Sequence, residues 1–420
     1  MNFSIYTLGC RVNQYESRVI AQELCEKGFS ESSFNEKCDI YIINTCAVTQ
    51  ESVRKSRQMI RRAKKHNPSS KVIVTGCFSQ ISPDKVEELG NADYITGNNQ
   101  KISSVISSIL NENPKKLLWD DFENTEYENY ILKAPTRYRE YIKIQDGCRG
   151  KCAYCVIPRA RGPIRSKPRE SVIEEVKLLA SKGVKELILT GIEIASYEYD
   201  LPSLLTELNT IKGIERISLG SLEPTLITEA FAKTLANVTK LTPHFHISVQ
   251  SGSTTVLNRM RRKYNVQRLE KSLEYLRNEF PYLQLTCDII VGFPGETKEE
   301  FEETKAFLQR NRFLHAHIFP YSVRPETAAA DMPDQIPEKI KAQRAAELDS
   351  LQKEIKAEIL SKELSKRALV PVLFEAFENG IAQGHSDNYI EYLVHSERDL
   401  TGKIVKVRPI SVENEVITAE

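Results

Sequence analysis

Short apolar runs alternate with longer amphipathic stretches through most of the chain, and that alternation sets the expected architecture. Phe3–Leu8, Asp39–Asn44 and Lys71–Thr75 read as buried strands, separated by helical patterns at about 14–28 and 50–66. Strands alternating with helices of this length predict a parallel sheet. From Tyr141 the pattern repeats: strand-like runs fall near Tyr141–Gln145, Glu186–Thr190, Arg216–Gly220, Phe245–Gln250, Leu283–Val291 and Phe313–Phe319. Helical patterns at 170–182, 266–279 and 298–311 fill gaps between them. Six such repeats fit a partial (βα)6 barrel, with a doubly wound sheet as the alternative. An amphipathic helix at about 337–366 leads to short alternating segments at 369–377, 388–393 and 402–412, which predict a small β-barrel. Residues 111–140, which contain Trp119, lose the periodicity and read as a linker. The expected fold class is α/β, divided into an N-terminal parallel α/β domain (1–115), a linker (116–135), a barrel domain (136–366) and a small β-barrel (367–420).

Composition changes this picture little. A chain of 420 residues suits two or three domains at about 100–200 residues each. Hydrophobic residues at 40% and charged residues at 27% describe an ordinary globular protein. The net charge of +1 leaves any basic surface to local clustering. The first strand begins at Phe3 and no apolar run approaches the roughly 18 residues of a membrane span, so neither a signal peptide nor a membrane association is expected. An odd nine cysteines without a secretory signal argue for metal or redox use in a reducing compartment, hence a cytoplasmic protein.

The cysteines carry the chemistry. Cys148, Cys152 and Cys155 lie within eight residues of a loop. A 4Fe–4S cluster is normally held by four thiolates, so three leave one iron open to a substrate. Structural zinc wants four closed ligands, and no histidine lies nearby. Cys10, Cys46 and Cys77 each fall within two residues of the end of an expected strand, in Leu-Gly-Cys, Asn-Thr-Cys and Thr-Gly-Cys. Ligands collect at the carboxyl ends of parallel strands, so these thiols are expected to converge on a second three-thiolate site. The bland reading is three small buried hydrophobes. Cys25, Cys38 and Cys287 are assigned no chemistry.

The C-x3-C-x2-C spacing, with Tyr154 before the last cysteine, resembles the radical S-adenosylmethionine (SAM) enzymes. The resemblance implies that SAM chelates the open iron and is cleaved to a 5′-deoxyadenosyl radical. Thr7-Leu-Gly-Cys-Arg-Val-Asn-Gln-Tyr-Glu-Ser17, Ile43-Asn-Thr-Cys-Ala-Val-Thr49 and Thr75-Gly-Cys77 resemble the N-terminal domain of the radical SAM methylthiotransferases. The wording after Cys10 is nearest the branch that acts on N6-threonylcarbamoyladenosine in tRNA. The resemblance implies two 4Fe–4S clusters, an auxiliary one on Cys10, Cys46 and Cys77 and a SAM-cleaving one on Cys148, Cys152 and Cys155. It further implies transfer of a methylthio group to C2 of the modified adenosine beside the anticodon, with two SAM, an unidentified sulfur donor and an unidentified electron donor. Residues expected near SAM are Tyr154, Gly191 and Glu193 after the second barrel strand, Ser221 and Glu223 after the third, Gln250 and Ser251 after the fourth, and Asp288, Gly292 and Pro294 around the fifth. Methylthiolation of a ribosomal-protein side chain is the rival within this chemistry, and a non-catalytic iron–sulfur RNA-binding protein the rival outside it. The C-terminal ending Gly402-Lys-Ile-Val-Lys-Val-Arg408 resembles a TRAM domain. The family usually has glycine where Glu326 stands.

Local charge suggests where RNA would approach. The stretch after Cys46 carries Arg54, Lys55, Arg57, Arg61, Arg62, Lys64 and Lys65, either a solvated face or a phosphate-facing one. Arg149, Lys151, Arg159, Arg161, Arg165, Lys167 and Arg169 surround the cluster loop, either offsetting the negative charge of the thiolates and cluster or meeting an RNA backbone, and Arg259, Arg261, Arg262 and Lys263 could extend that surface. The C-terminal segment from Lys366 onward has six positive and nine negative residues, net −3, too acidic to bind RNA by charge alone. His244 with His246, and His315 with His317, have no carboxylate at ligand spacing and read as core or lining residues.

Overall fold

The computed structural model describes residues 1–111, 116–118, 121–122, 125–366 and 368–420; Trp119 and Arg367 lie outside them. The N-terminal sheet is wholly parallel, in the spatial order Ser30–Glu31, Asn2–Thr7, Ile40–Thr45, Lys71–Gly76, Tyr94–Thr96 and Leu117–Leu118. Its three cysteine-bearing strands are therefore immediate neighbours. Apolar side chains on both faces explain their near-continuous Val/Ile runs: Ile40 to Thr45 is buried at every position. The first helix spans Arg11–Glu26, starting earlier than the apolar period suggests, because Cys10 takes the extended N-cap position.

The barrel strands are Arg139–Lys143, Glu186–Thr190, Arg216–Leu219, His244–Gln250, Gln284–Val291 and His315–Pro320, all parallel. They form two three-stranded sheets joined by the bridges Ile217–Leu241 and Leu222–Ile247. This is the partial barrel rather than the doubly wound sheet. One continuous core runs from Phe3 and Val19 of the first domain through Leu187 and Phe245 to Leu348 of the exit helix Glu338–Ser365. The stretch leading into the barrel is a packed strap. Glu128 accepts from the amides of Ile102 (3.1 Å) and Ser103 (2.8 Å) at the start of the Lys101–Leu110 helix, and Tyr127 donates to the Lys143 carbonyl at 2.6 Å.

The C-terminal sheet is mostly antiparallel and has six strands, including Ile381–Ser386 and Val416–Ala419, which the hydrophobic pattern did not isolate. Its edge strands, Ile404–Val407 and Pro409–Glu413, are separated by one residue, so the sheet curls back on itself as a small barrel. It docks on the amino ends of the central strands: Arg216 donates to the carbonyls of His385 (2.9 Å) and Pro371 (2.7 Å), and Tyr389 stacks on His244 at 4.4 Å. That is the end opposite the one where barrel enzymes place their chemistry.

Candidate functional site

All six expected ligands line one cavity of about 610 Å³: Cys10, Cys46, Cys77, Cys148, Cys152 and Cys155. It opens at the carboxyl ends of the barrel strands, where the rim of the N-terminal sheet faces it. The two thiol sets come from different domains and meet because both sheets present the same pole. Cys10 caps the first helix, whose positive end favours an anionic sulfur. Cys46 directly follows one strand, and Cys77 opens the turn after the next. Gly9 shows how tightly the first set is drawn: at φ +94°, a Cβ there would stand 2.9 Å from the Cys46 Sγ.

The loop thiols are surrounded by donors. Gly150 N–H donates to Cys148 Sγ at 3.1 Å, Ile157 N–H to Cys155 Sγ at 3.4 Å and Arg262 Nη1 to Cys152 Sγ at 3.0 Å. Asn98 Nδ2 donates to Cys77 Sγ at 3.5 Å. Cys148 Sγ in turn donates to Glu193 Oε2 at 3.2 Å. Burial pushes the Cys148 thiol up to about 12 and the Cys46 and Cys155 thiols up to about 11. Converging thiolates in such a place need compensating cations, and a metal cluster is the group this donor set fits.

Gly191, Glu193, Ser221 and Glu223 line the cavity together with Tyr154 and Asp288. Gln145 fixes the Glu193 backbone, its Oε1 accepting from Glu193 N–H at 2.7 Å. Gln250 lines an adjoining pocket of about 270 Å³ with Tyr154 and Asp288. Ser251, Gly292 and Pro294 do not reach either wall. Ser251 is buried against Thr304 at 3.3 Å, and Gly292 is the point where the exit helix passes, since a Cβ there would meet Lys341 Cγ at 2.4 Å. The close approach that Gly292 permits is to the protein's own chain; Pro294 is buried beside it.

Histidines read as having no carboxylate beside them do have one. His246 Nε2 lies 3.2 Å from Asp288 Oδ2, and His317 completes a group whose ligand atoms fall within 4.8 Å of one another, on the cavity wall. The carboxylate arrives across strands, in the register that pairs Asp288 with His317, which spacing along one strand cannot reveal.

Several basic residues expected to face RNA turn inward. Arg161 and Lys167 are fully buried and Arg165 is 7% exposed. Arg161 donates to Glu16 at 2.6 Å and approaches Asp146 at 3.2 Å, within a sealed network where Lys101 (2.5 Å) and Lys143 (2.7 Å) also meet Glu16. Arg169 pairs with Glu207, Arg259 with Glu300 and Lys64 with Asp93. Burial at the seam between domains leaves Arg161, Arg165 and Lys167 no access to phosphate. The sequence offered no signal for Glu16, Lys101 and Lys143. By contrast Arg54, Lys55, Arg61, Arg62 and Lys65 are exposed on the Gln50–His66 helix. Arg54, Arg57 and Arg61 line a second cavity of about 670 Å³ with Lys85 and Arg324. It adjoins the cluster loop at Val156. Glu326 adopts φ +61°, a conformation that favours glycine, and is tied to Arg159 at 2.7 Å.

Comparison with known proteins identifies the two halves of this cavity separately. Residues 142–308 match the radical SAM superfamily, and residues 2–97 match the uncharacterized protein family UPF0004. The threonylcarbamoyladenosine tRNA methylthiotransferase MtaB of Bacillus subtilis (strain 168) is 39% identical over 96% of this chain and 93% of its own length. The chain belongs to the radical SAM methylthiotransferase family. The MtaB protein of Aquifex aeolicus (strain VF5) is 37% identical over 97% of this chain and 100% of its own. Among solved structures, the radical SAM methyltransferase TsrM from Kitasatospora setae superposes with a TM-score of 0.60 at 16% identity, covering 78% of this chain and 76% of that one. That likeness concerns the fold. In the family's terms, this methylthiotransferase presents both of its cysteine triads to a single chamber.

Proposed function

We propose that this protein is a cytoplasmic tRNA methylthiotransferase that adds a methylthio group to C2 of N6-threonylcarbamoyladenosine beside the anticodon. The observation that carries this reading is the convergence of two three-thiol sets on one cavity of about 610 Å³. The relatives named for this activity, matched over nearly their whole length, support the substrate. Cys148, Cys152 and Cys155 would hold one 4Fe–4S cluster and Cys10, Cys46 and Cys77 the other. Bound SAM would supply the methyl group and the hydrogen-abstracting radical that a C–H bond without usable acidity requires, and the second cluster would carry sulfur brought by an external donor.

The chain's own part is to hold, orient and exclude water. Arg262 and the Gly150 and Ile157 amides stabilise negative charge on the loop sulfurs. Glu223, 3.7 Å from Arg262, and Glu193, anchored through Gln145, offer acceptors for an ammonium group such as that of SAM. The cavity walls from two domains keep the reacting groups in register and away from bulk water. A sulfur source and a reductant must come from outside the chain. No helix among the described residues is long and apolar enough to cross a membrane.

The deciding experiment is nucleoside mass spectrometry of tRNA from a strain lacking the gene, with and without the gene restored. Loss and return of the 2-methylthio form of N6-threonylcarbamoyladenosine is the expected result. Unchanged tRNA nucleosides, with methylthiolation missing from a ribosomal protein instead, overturn it.

The basic groove beside the Gln50–His66 helix is the surface on which the RNA backbone would lie. Arg57 and Arg61 line it without an ion pair among the described residues. Reversing both to glutamate is expected to weaken tRNA binding about tenfold or more near 0.1 M salt and to flatten the salt dependence by about two phosphate contacts. RNA-independent formation of 5′-deoxyadenosine should be unaffected. Unchanged affinity and salt slope would remove this surface from the interface.

A further inference from the structure

The cations of the cysteine cavity differ in what already engages them. Arg262 is committed to Cys152 and Glu223. Lys151, Arg261 and Lys263 are exposed, where water screens them. Arg11 is half-buried on the cavity wall, at the first position of the helix that Cys10 caps. Its guanidinium lies 5.9 Å from the centre of the Tyr141 ring and makes no ion pair or side-chain hydrogen bond with any described residue.

A permanently charged, partly desolvated fork of five N–H donors facing a cavity is suited to a planar anion gripped through two parallel hydrogen bonds. The substituent of N6-threonylcarbamoyladenosine ends in a free carboxylate, whereas an alkyl substituent at the same nitrogen carries no charge. We propose that Arg11 receives that carboxylate and so selects an acidic N6 substituent over an apolar one. This assignment rests on the substrate reading above. Asp288, held by His246 at 3.2 Å on the same wall, repels a carboxylate and biases it towards Arg11.

The test uses reconstituted holoenzyme and two anticodon stem-loop RNAs, one carrying N6-threonylcarbamoyladenosine and one carrying its threonyl methyl ester. Binding is read by fluorescence anisotropy and turnover as kcat and KM separately. The wild-type protein should favour the acid by about tenfold to a hundredfold, the range expected for a charge-assisted hydrogen-bonded pair. Arg11→Leu should bind both RNAs as the wild type binds the ester, with iron content unchanged, and Arg11→Lys should restore part of the preference. A wild-type protein that treats acid and ester alike overturns the proposal without needing any variant. So does an Arg11→Leu protein with full iron content and undiminished discrimination. Should the wild type methylthiolate neither RNA, the substrate reading itself fails, and the role of Arg11 falls with it.

Discussion

Replacing Cys148 by alanine is expected to lower the iron content of anaerobically reconstituted protein from about eight to about four per chain, the difference of one 4Fe–4S cluster. The same change should abolish both 5′-deoxyadenosine and the methylthiolated nucleoside. Cys10→Ala should also leave about four irons, yet keep SAM cleavage while losing the methylthio product. The asymmetry follows from position: Cys148 belongs to the loop that follows the first barrel strand, whereas Cys10 belongs to the rim of the other sheet. Iron and sulfide quantification, with electron paramagnetic resonance of the reduced proteins, reads the first outcome, and mass spectrometry the second. A Cys10→Ala protein that still holds about eight irons, or still makes product, would remove the N-terminal thiols from the reaction.

The second large effect is on stability. Glu16 is 2% exposed and, among the described residues, is the single carboxylate that Lys101, Lys143 and Arg161 all contact. Glu16→Ala leaves Lys143 and Arg161 to share Asp146 and leaves Lys101 with the neutral Asn13 and Asn44 amide oxygens, and removing one partner of a buried ionic group costs about 3–5 kcal/mol. The loss should appear as a lower urea midpoint in the N-terminal and barrel domains together, because the network spans their seam. Adding Lys101→Leu to Glu16→Leu should cost less than the sum of the two single changes, since one stranded charge is then removed. A midpoint unchanged by Glu16→Ala would show that the cations find other partners.

The network also fixes an acid limit. Burial alone would raise the Glu16 carboxyl, but Arg161, Lys101 and Lys143 outweigh it and hold the group well below the usual range. Asp146 is likewise opposed by burial and brought down to about 2 by Lys143, Arg161 and Arg165. With folded values below unfolded ones, their contribution is complete above about pH 5, clear of the unfolded values, and is lost progressively as the pH falls through the folded values.

Much of this protein is determined by its sequence alone. A strand buried on both faces and a helix buried on one leave different periods, so the three N-terminal strands, the six barrel strands and the helices Gln50–His66, Val266–Glu279 and Lys298–Asn311 are legible directly. Thiols at strand ends could be assigned to one pole because parallel strands all point the same way. Tertiary structure alone decided relations between segments. Asp288 meets His246 and His317 through cross-strand register, Arg161 and Lys167 turn inward because buried carboxylates from other elements await them, and Gly292 gives way to the exit helix rather than to a ligand. The C-terminal barrel docks at the pole away from the cysteines because Arg139, Arg216 and His244, at the strand starts, find its Glu375, its backbone carbonyls and its Tyr389. A side chain's type and period are local properties; which partner neutralises, stacks on or faces it depends on residues far away in the chain, and only the packed fold brings them together.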